Sequence, residues 1–143
     1  MPGMSDDQRS VHLERLGTGI YQAINPRGGQ IRFGSMAGAD FTPVELLLAA
    51  IGGCSAVDVD VVTGRRSDPD RFAVDVTADA VRDETGNRLE HIEVTFRVTF
   101  PEGEAGDAAR QILPRAAATS HDRTCTVSRT IELGTPVAMT LPE

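Results

Sequence analysis

The chain contains no tryptophan, no lysine and only two cysteines among its 143 residues. Aromatics amount to 4%, so the core is expected to be Val, Leu, Ile and Ala packed through small side chains. Without lysine, Schiff-base chemistry is excluded. Positive charge is scarce in general: 14 basic residues, all Arg, face 21 acidic ones, for a net charge of -7. Such a surface repels phosphate backbones, which argues against a nucleic-acid partner. Long apolar runs are also missing. The longest stretch, Val44 to Val62, is interrupted by Glu45, Asp58 and Asp60, short of the roughly 18 apolar residues of a membrane span, and no membrane partner is expected. The opening MPGMSDDQRS carries acids where a signal peptide has basic residues and an apolar run. The expected location is therefore a reducing cytoplasm, where a cysteine pair points to redox chemistry or metal binding and not to a structural disulfide. Phosphate-cradling glycine loops, dinucleotide fingerprints and the G-x-S-x-G elbow are absent.

What is present fits one domain over residues 11–143 behind a flexible N-terminus of residues 1–10. From Val11 to Phe33 loose alternation with turn residues between (Gly17, Gly19, Asn25-Pro26-Arg27-Gly28-Gly29) predicts two or three short strands in hairpins. Thr42-Pro43-Val44-Glu45 is a capping box with Pro at the first helical position, and it opens a helix expected to run to Val62 and stop at Thr63-Gly64. Apolar residues go round the whole of that cylinder, which predicts a central helix enclosed by sheets or by a second subunit. Ala49, Ala50, Gly52 and Gly53 would admit another backbone closely. Phe72–Ala78 and Ile92–Phe100 alternate as an antiparallel strand pair, with a turn signal at Glu84-Thr85-Gly86-Asn87. Ala105–Ala118 reads as a second helix, broken or kinked near Pro114. Cys125–Leu133 alternates as a last strand, with another expected after Gly134. The fold class is α+β, its antiparallel sheets segregated from its helices.

Two residues carry the candidate chemistry. Cys54 follows Gly52-Gly53 in the long helix, and Asp58 lies one turn later on the same face. Cys125 follows Ser120-His121-Asp122-Arg123-Thr124. Each also has a plain reading, as a small core hydrophobe. The two are far apart in sequence, with no CxxC and no clustered His, so no metal or other cofactor is expected. Spacing does not say whether they meet.

Pro43-Val44-Glu45-Leu46-Leu47 leading to Gly52-Gly53-Cys54-Ser55-Ala56, then the strand pair, then Cys125-Thr126-Val127-Ser128, resembles the OsmC family, which includes the organic hydroperoxide resistance proteins. The resemblance covers roughly residues 12 to 135. It implies an intertwined homodimer in which curved sheets from both chains wrap two central helices. It implies a thiol peroxidase in which Cys54 attacks a hydroperoxide and becomes a sulfenic acid. Cys125 then condenses with it to a disulfide, and a small or protein dithiol restores the pair. Peroxidase members commonly have a Glu ten residues before the first cysteine, paired with an Arg on the thiolate; here that position is Val44. Glu45 points to the opposite face of the helix from Cys54 and suits the capping box. Asp58 would raise the Cys54 thiol pKa, so activation falls to an arginine from elsewhere, with Arg27 and Arg32 as candidates. The rival expectation keeps the fold but gives it a small-ligand-binding or redox-sensing role. A third is another thiol reaction with His121 as base.

Overall fold

The computed structural model describes residues 7–35 and 39–142. The expected flexible N-terminus thus lies outside the described residues for its first six positions; residues 7–10 are exposed and carry no strand or helix. The chain forms two compact units, Met1–Leu47 and Leu48–Glu143.

In the first unit, β1 (His12–Gly17), β2 (Ile20–Ile24) and β3 (Gln30–Gly34) form an antiparallel sheet in the order β1-β2-β3. The predicted hairpins hold for local reasons. Gly19 takes φ 68 in the first turn, a left-handed conformation that glycine adopts without steric cost. Asn25 Oδ1 accepts from the N–H groups of Arg27 (3.0 Å) and Gly29 (2.8 Å) to close the second. Tyr21 sits opposite Phe33 in register and their rings stack at 5.7 Å.

The helix α1 (Pro43–Gly64) starts as its sequence dictates. Thr42 N–H donates to Glu45 Oε1 (2.8 Å) and Glu45 N–H to Thr42 Oγ1 (3.1 Å), both arms of the capping box. Of the enclosure expected from sheets or a second subunit, this chain supplies part. Within one chain only the stripe Ile51, Gly52, Ser55, Val59 and Thr63 is covered, the i, i+4 spacing of one helix face. Val57 and Val61 remain 64% and 53% exposed, so a single chain does not enclose the helix. By length and hydropathy α1 would pass as a membrane span. Two features anchor it within the chain: Gly52 lies against Val76 of β4, and Asp58 accepts from two hydroxyls of a later segment.

In the second unit, β4 (Arg71–Asp83) and β5 (Gly86–Thr99) form a long antiparallel ribbon joined at Glu84-Thr85. The strands are longer than alternation indicated because pairing continues past a register shift between Thr77 and Asp79. His91, across from this shift, has φ 53, the left-handed backbone that bulges often require. Val74 and Val76 of β4 pair with Phe96 and Val94 of β5, one apolar face. Gly52 of α1 lies against that face: a Cβ there would come within 2.5 Å of Val76 Cγ2. The close approach expected at the helix glycines is therefore real at Gly52, though to a side chain; beside Gly53 there is nothing within 4 Å in the chain.

After β5, α2 (Glu104–Thr119) runs unbroken through Pro114, so of the expected break or kink there is no break. The ring costs the helix one N–H bond without ending it. A π-helical turn, Ser120–Thr124, follows directly, and then α3 (Thr126–Glu132). This last helix corrects the strand expected at Cys125–Leu133. Its β-branched residues favour a strand, but Val127 and Ile131, like Ser128 and Glu132, also stand at i, i+4. Thr130 Oγ1 donates back to the Thr126 carbonyl at 2.7 Å, which lets a β-branched hydroxyl residue sit in a helix. Gly134 (φ 65) caps it, its N–H bonded to the Ile131 carbonyl. The described residues after it form no strand; Val137, Met139 and Leu141 alternate along an exposed extended tail.

Candidate active site: a paired thiol beside an apolar cavity

Three segments converge on the cysteines. α1 supplies Cys54, Ser55 and Asp58; the π-helical turn supplies Ser120 and Thr124; the start of α3 supplies Cys125 and Ser128. Asp58 ties the first two together. Its Oδ2 accepts from Ser120 Oγ at 2.8 Å and from Thr124 Oγ1 at 2.9 Å, two charge-assisted bonds on one oxygen. Ser120, 1% exposed, accepts the Cys125 N–H at its carbonyl (2.8 Å). The acid expected merely to share a helix face with Cys54 thus anchors the segment that delivers Cys125. Nothing in the sequence flagged Ser120, Thr124 or Ser128; their only signal was a hydroxyl-rich stretch around a cysteine.

Both cysteines are free thiols, Cys54 half-buried and Cys125 fully buried. Each lies close enough to shift the other's titration, and Ser55, next to Cys54 in the chain, donates to Cys125 Sγ at 3.5 Å. Around Cys125 Sγ lie Ser128 Oγ (3.2 Å), Ser128 N–H (3.4 Å) and Ser55 Oγ (3.5 Å). Burial pushes the Cys54 thiol above its ordinary value; a bond from the Val127 N–H opposes this, while Cys125 and Asp58 add to it. Burial also pushes the Cys125 thiol up, but the bonds from the Ser128 and Ser55 hydroxyls, the Ser128 N–H and Cys54 outweigh it, and Cys125 ends below its ordinary value.

Beside the pair is a cavity of about 370 Å³ lined by Ile51, Ile92, Val94, Phe96, Ala117 and Ile131, with Ser55, Ser128, His121 and Glu132 as its polar groups. The apolar wall from β5 follows from alternation, since Ile92, Val94 and Phe96 share one strand face. The two serines that bond Cys125 form part of the lining; the sulfurs themselves do not. His121 Nδ1 lies 2.9 Å from Asp122 Oδ1 and Nε2 lies 3.0 Å from Glu132 Oε1, both within hydrogen-bond distance. These two carboxylates raise its pKa, Asp122 first. Both ring nitrogens are engaged by carboxylates and neither bonds a sulfur. Arg27 and Arg32 belong to the first unit, in the turn before β3 and on β3.

The chain is thus α+β, with antiparallel strands, a long helix and two free thiols carried by segments distant in sequence. The sequence matches the family described as "OsmC-like protein" over residues 36–140, and the chain belongs to that family. An uncharacterized protein of Mycobacterium tuberculosis is 34% identical over 129 residues, covering 87% of this chain and 90% of the relative. Among solved structures, a hypothetical protein from Aquifex aeolicus superposes with a TM-score of 0.71 at 23% identity, covering 90% of each chain. An OsmC-like protein of unknown function from Vibrio cholerae gives 0.69 at 13% identity over 90% of this chain and 95% of that one. At these identities the two structures speak to the fold alone.

Proposed function

We propose that this chain is a two-cysteine thiol peroxidase that reduces organic hydroperoxides. The supporting observation is that two free thiols from segments distant in sequence lie near one another, with Ser55, the neighbour of Cys54, bonded to Cys125 Sγ at 3.5 Å, beside an apolar cavity. Cys54, the more exposed of the two, attacks the distal peroxide oxygen and becomes a sulfenic acid as the alcohol leaves. Cys125, buried against it, displaces water to form the disulfide, trapping the sulfenic acid before further oxidation. A small or protein dithiol reduces the disulfide, which suits a reducing cytoplasm. The apolar wall favours an alkyl or aryl hydroperoxide over hydrogen peroxide. We propose further that the working form is an intertwined homodimer, which would cover the exposed Val57 and Val61 of α1 and complete the enclosure expected of that helix.

The test is mass mapping after brief exposure to cumene hydroperoxide. Loss of two hydrogens with a Cys54–Cys125 link, reversed by dithiothreitol and abolished in Cys54→Ser, is the expected result. Two unmodified thiols at excess peroxide would end the peroxidase reading. One observation favours a second reading, a small-ligand-binding role: neither sulfur lines the cavity. An apolar ligand that binds there and leaves both thiols free would support it.

A further inference from the structure

Neither sulfur lines the cavity, yet two serines that bond Cys125 do. They differ in what they have left to offer. Ser55 Oγ donates its hydrogen to Cys125 Sγ at 3.5 Å. Cys125 Sγ in turn donates to Ser128 Oγ at 3.2 Å, and the Ser128 N–H returns to the same sulfur at 3.4 Å. A chain thus runs from Ser55 through Cys125 to Ser128, in which each hydrogen but the last has an acceptor. A serine hydroxyl is one donor and accepts through two lone pairs. Ser128 uses its oxygen on Cys125, and among the described residues no acceptor takes its hydrogen. The other polar groups of the lining offer no donor. His121 has each ring nitrogen within hydrogen-bond distance of a carboxylate, Asp122 at 2.9 Å and Glu132 at 3.0 Å, and ionised Glu132 only accepts.

We propose that Ser128 is the residue that anchors a ligand in this cavity: its hydroxyl donates to an oxygen of an uncharged compound whose apolar body lies against Ile92, Val94, Phe96 and Ile131. The ligand class is therefore a neutral alcohol or hydroperoxide with a compact alkyl or aryl group. A volume of about 370 Å³ is within the range of small-molecule sites. A carboxylate or phosphate finds no cation other than His121 in the lining, and that ring already faces two acids. Hydrogen bonds in a chain polarise one another, so the Cys125 thiol behind Ser128 makes its hydroxyl a better donor. When Cys125 ionises, the hydroxyl turns to the sulfur and leaves the ligand, so the anchor belongs to the protonated thiol. Its bearing on hydroperoxides rests on the peroxidase reading; the binding of an alcohol does not.

The experiment pairs two redox-inert compounds of one shape, 2-phenylpropan-2-ol and tert-butylbenzene, which differ by a hydroxyl for a methyl. Dissociation constants are measured by calorimetry on the reduced protein in acidic buffer, which keeps Cys125 protonated. In Ser128→Ala the affinity for the alcohol should fall about 3- to 10-fold relative to tert-butylbenzene, the worth of one hydrogen bond. Continued binding of the hydrocarbon shows that the cavity has kept its shape. Should Ser128→Ala disturb it, Ser128→Thr against Ser128→Val repeats the comparison at constant side-chain shape: the first should keep the wild-type ratio and the second lower it. A ratio of alcohol to hydrocarbon affinity that is the same with and without the hydroxyl would overturn the proposal, and so would a wild type that binds neither compound. Failure of the peroxidase reading alone looks different: the ratio shifts as expected while cumene hydroperoxide leaves both thiols unmodified.

Discussion

Gly52 and Gly53 are neighbours on one helix, yet the structure assigns them opposite tolerance to a methyl group. In Gly53→Ala the new Cβ meets nothing within 4 Å, and the helix gains about 1 kcal/mol from the better propensity of alanine. In Gly52→Ala the same gain applies, but the Cβ stands 2.5 Å from Val76 Cγ2 and 3.5 Å from Val74 Cγ1. Val76 is not the free end of a flexible chain. It is β-branched, and it sits mid-strand paired with Val94, which lines the cavity. Overpacking of this kind costs about 1–3 kcal/mol. Because the propensity gain cancels between the variants, Gly52→Ala should be the less stable by about 1–3 kcal/mol, a gap of several degrees in Tm at this chain length. Urea and thermal denaturation measure it. If Gly52→Ala proves as stable as Gly53→Ala, α1 does not lie against β4 as described and the cavity wall is drawn wrongly.

Other consequences are as direct. Asp58→Ala removes two hydrogen bonds to a half-buried carboxylate and should cost about 2 kcal/mol in urea denaturation. Because the charge of Asp58 contributes to raising the Cys54 thiol, the alkylation profile of Cys54 should move to lower pH in the same variant, whereas Thr124→Val should lose stability and leave that profile in place. His121 has its pKa raised in the fold, so its ion pairs contribute stability that is fully present below its unfolded value near 6.5 and lost as pH rises through the folded value. The Tm gap between wild type and His121→Asn should be largest at pH 6 and close in alkaline buffer; it should stay small, since these groups are exposed and screened. For the dimer, wild type should sediment at twice the 15.3 kDa chain mass, and Val57→Glu with Val61→Glu should reduce it to a monomer.

Local rules carried much of the fold into view. The capping box at Thr42–Glu45, the turns at Gly19 and Asn25, and the alternation of β4 and β5 are each set by residues adjacent in sequence, and each formed where expected. Cys125–Leu133 failed because its side chains satisfy both periods. Alternation and i, i+4 spacing coincide at Val127 and Ile131, and over so short a segment only tertiary context decides. At Pro114 the helix does not break, since a missing N–H weakens a helix without forbidding it. At the site, the two cysteines and Asp58 were legible as chemistry. Their meeting was not, because no spacing rule reaches from one helix to a turn so far along the chain. The hydroxyls of Ser55, Ser120, Thr124 and Ser128 were invisible for the same reason: each matters only through a partner on another element.

The extended tail after Gly134 has its own relation to oxidants. Met139 is 92% exposed, between Val137 and Leu141, which are nearly as bare. Thioethers at the surface are oxidised to sulfoxide by the same hydroperoxides, with no cavity to enter and no proton to shed. Excess peroxide would therefore write a second mark on this molecule, one oxygen gained at a residue outside the cysteine pair. That mark converts the middle of an apolar triplet into a polar, chiral group. A dithiol that reduces a disulfide does not reverse the change. The sulfoxide at Met139 thus keeps a record of exposure after the thiols have been reset.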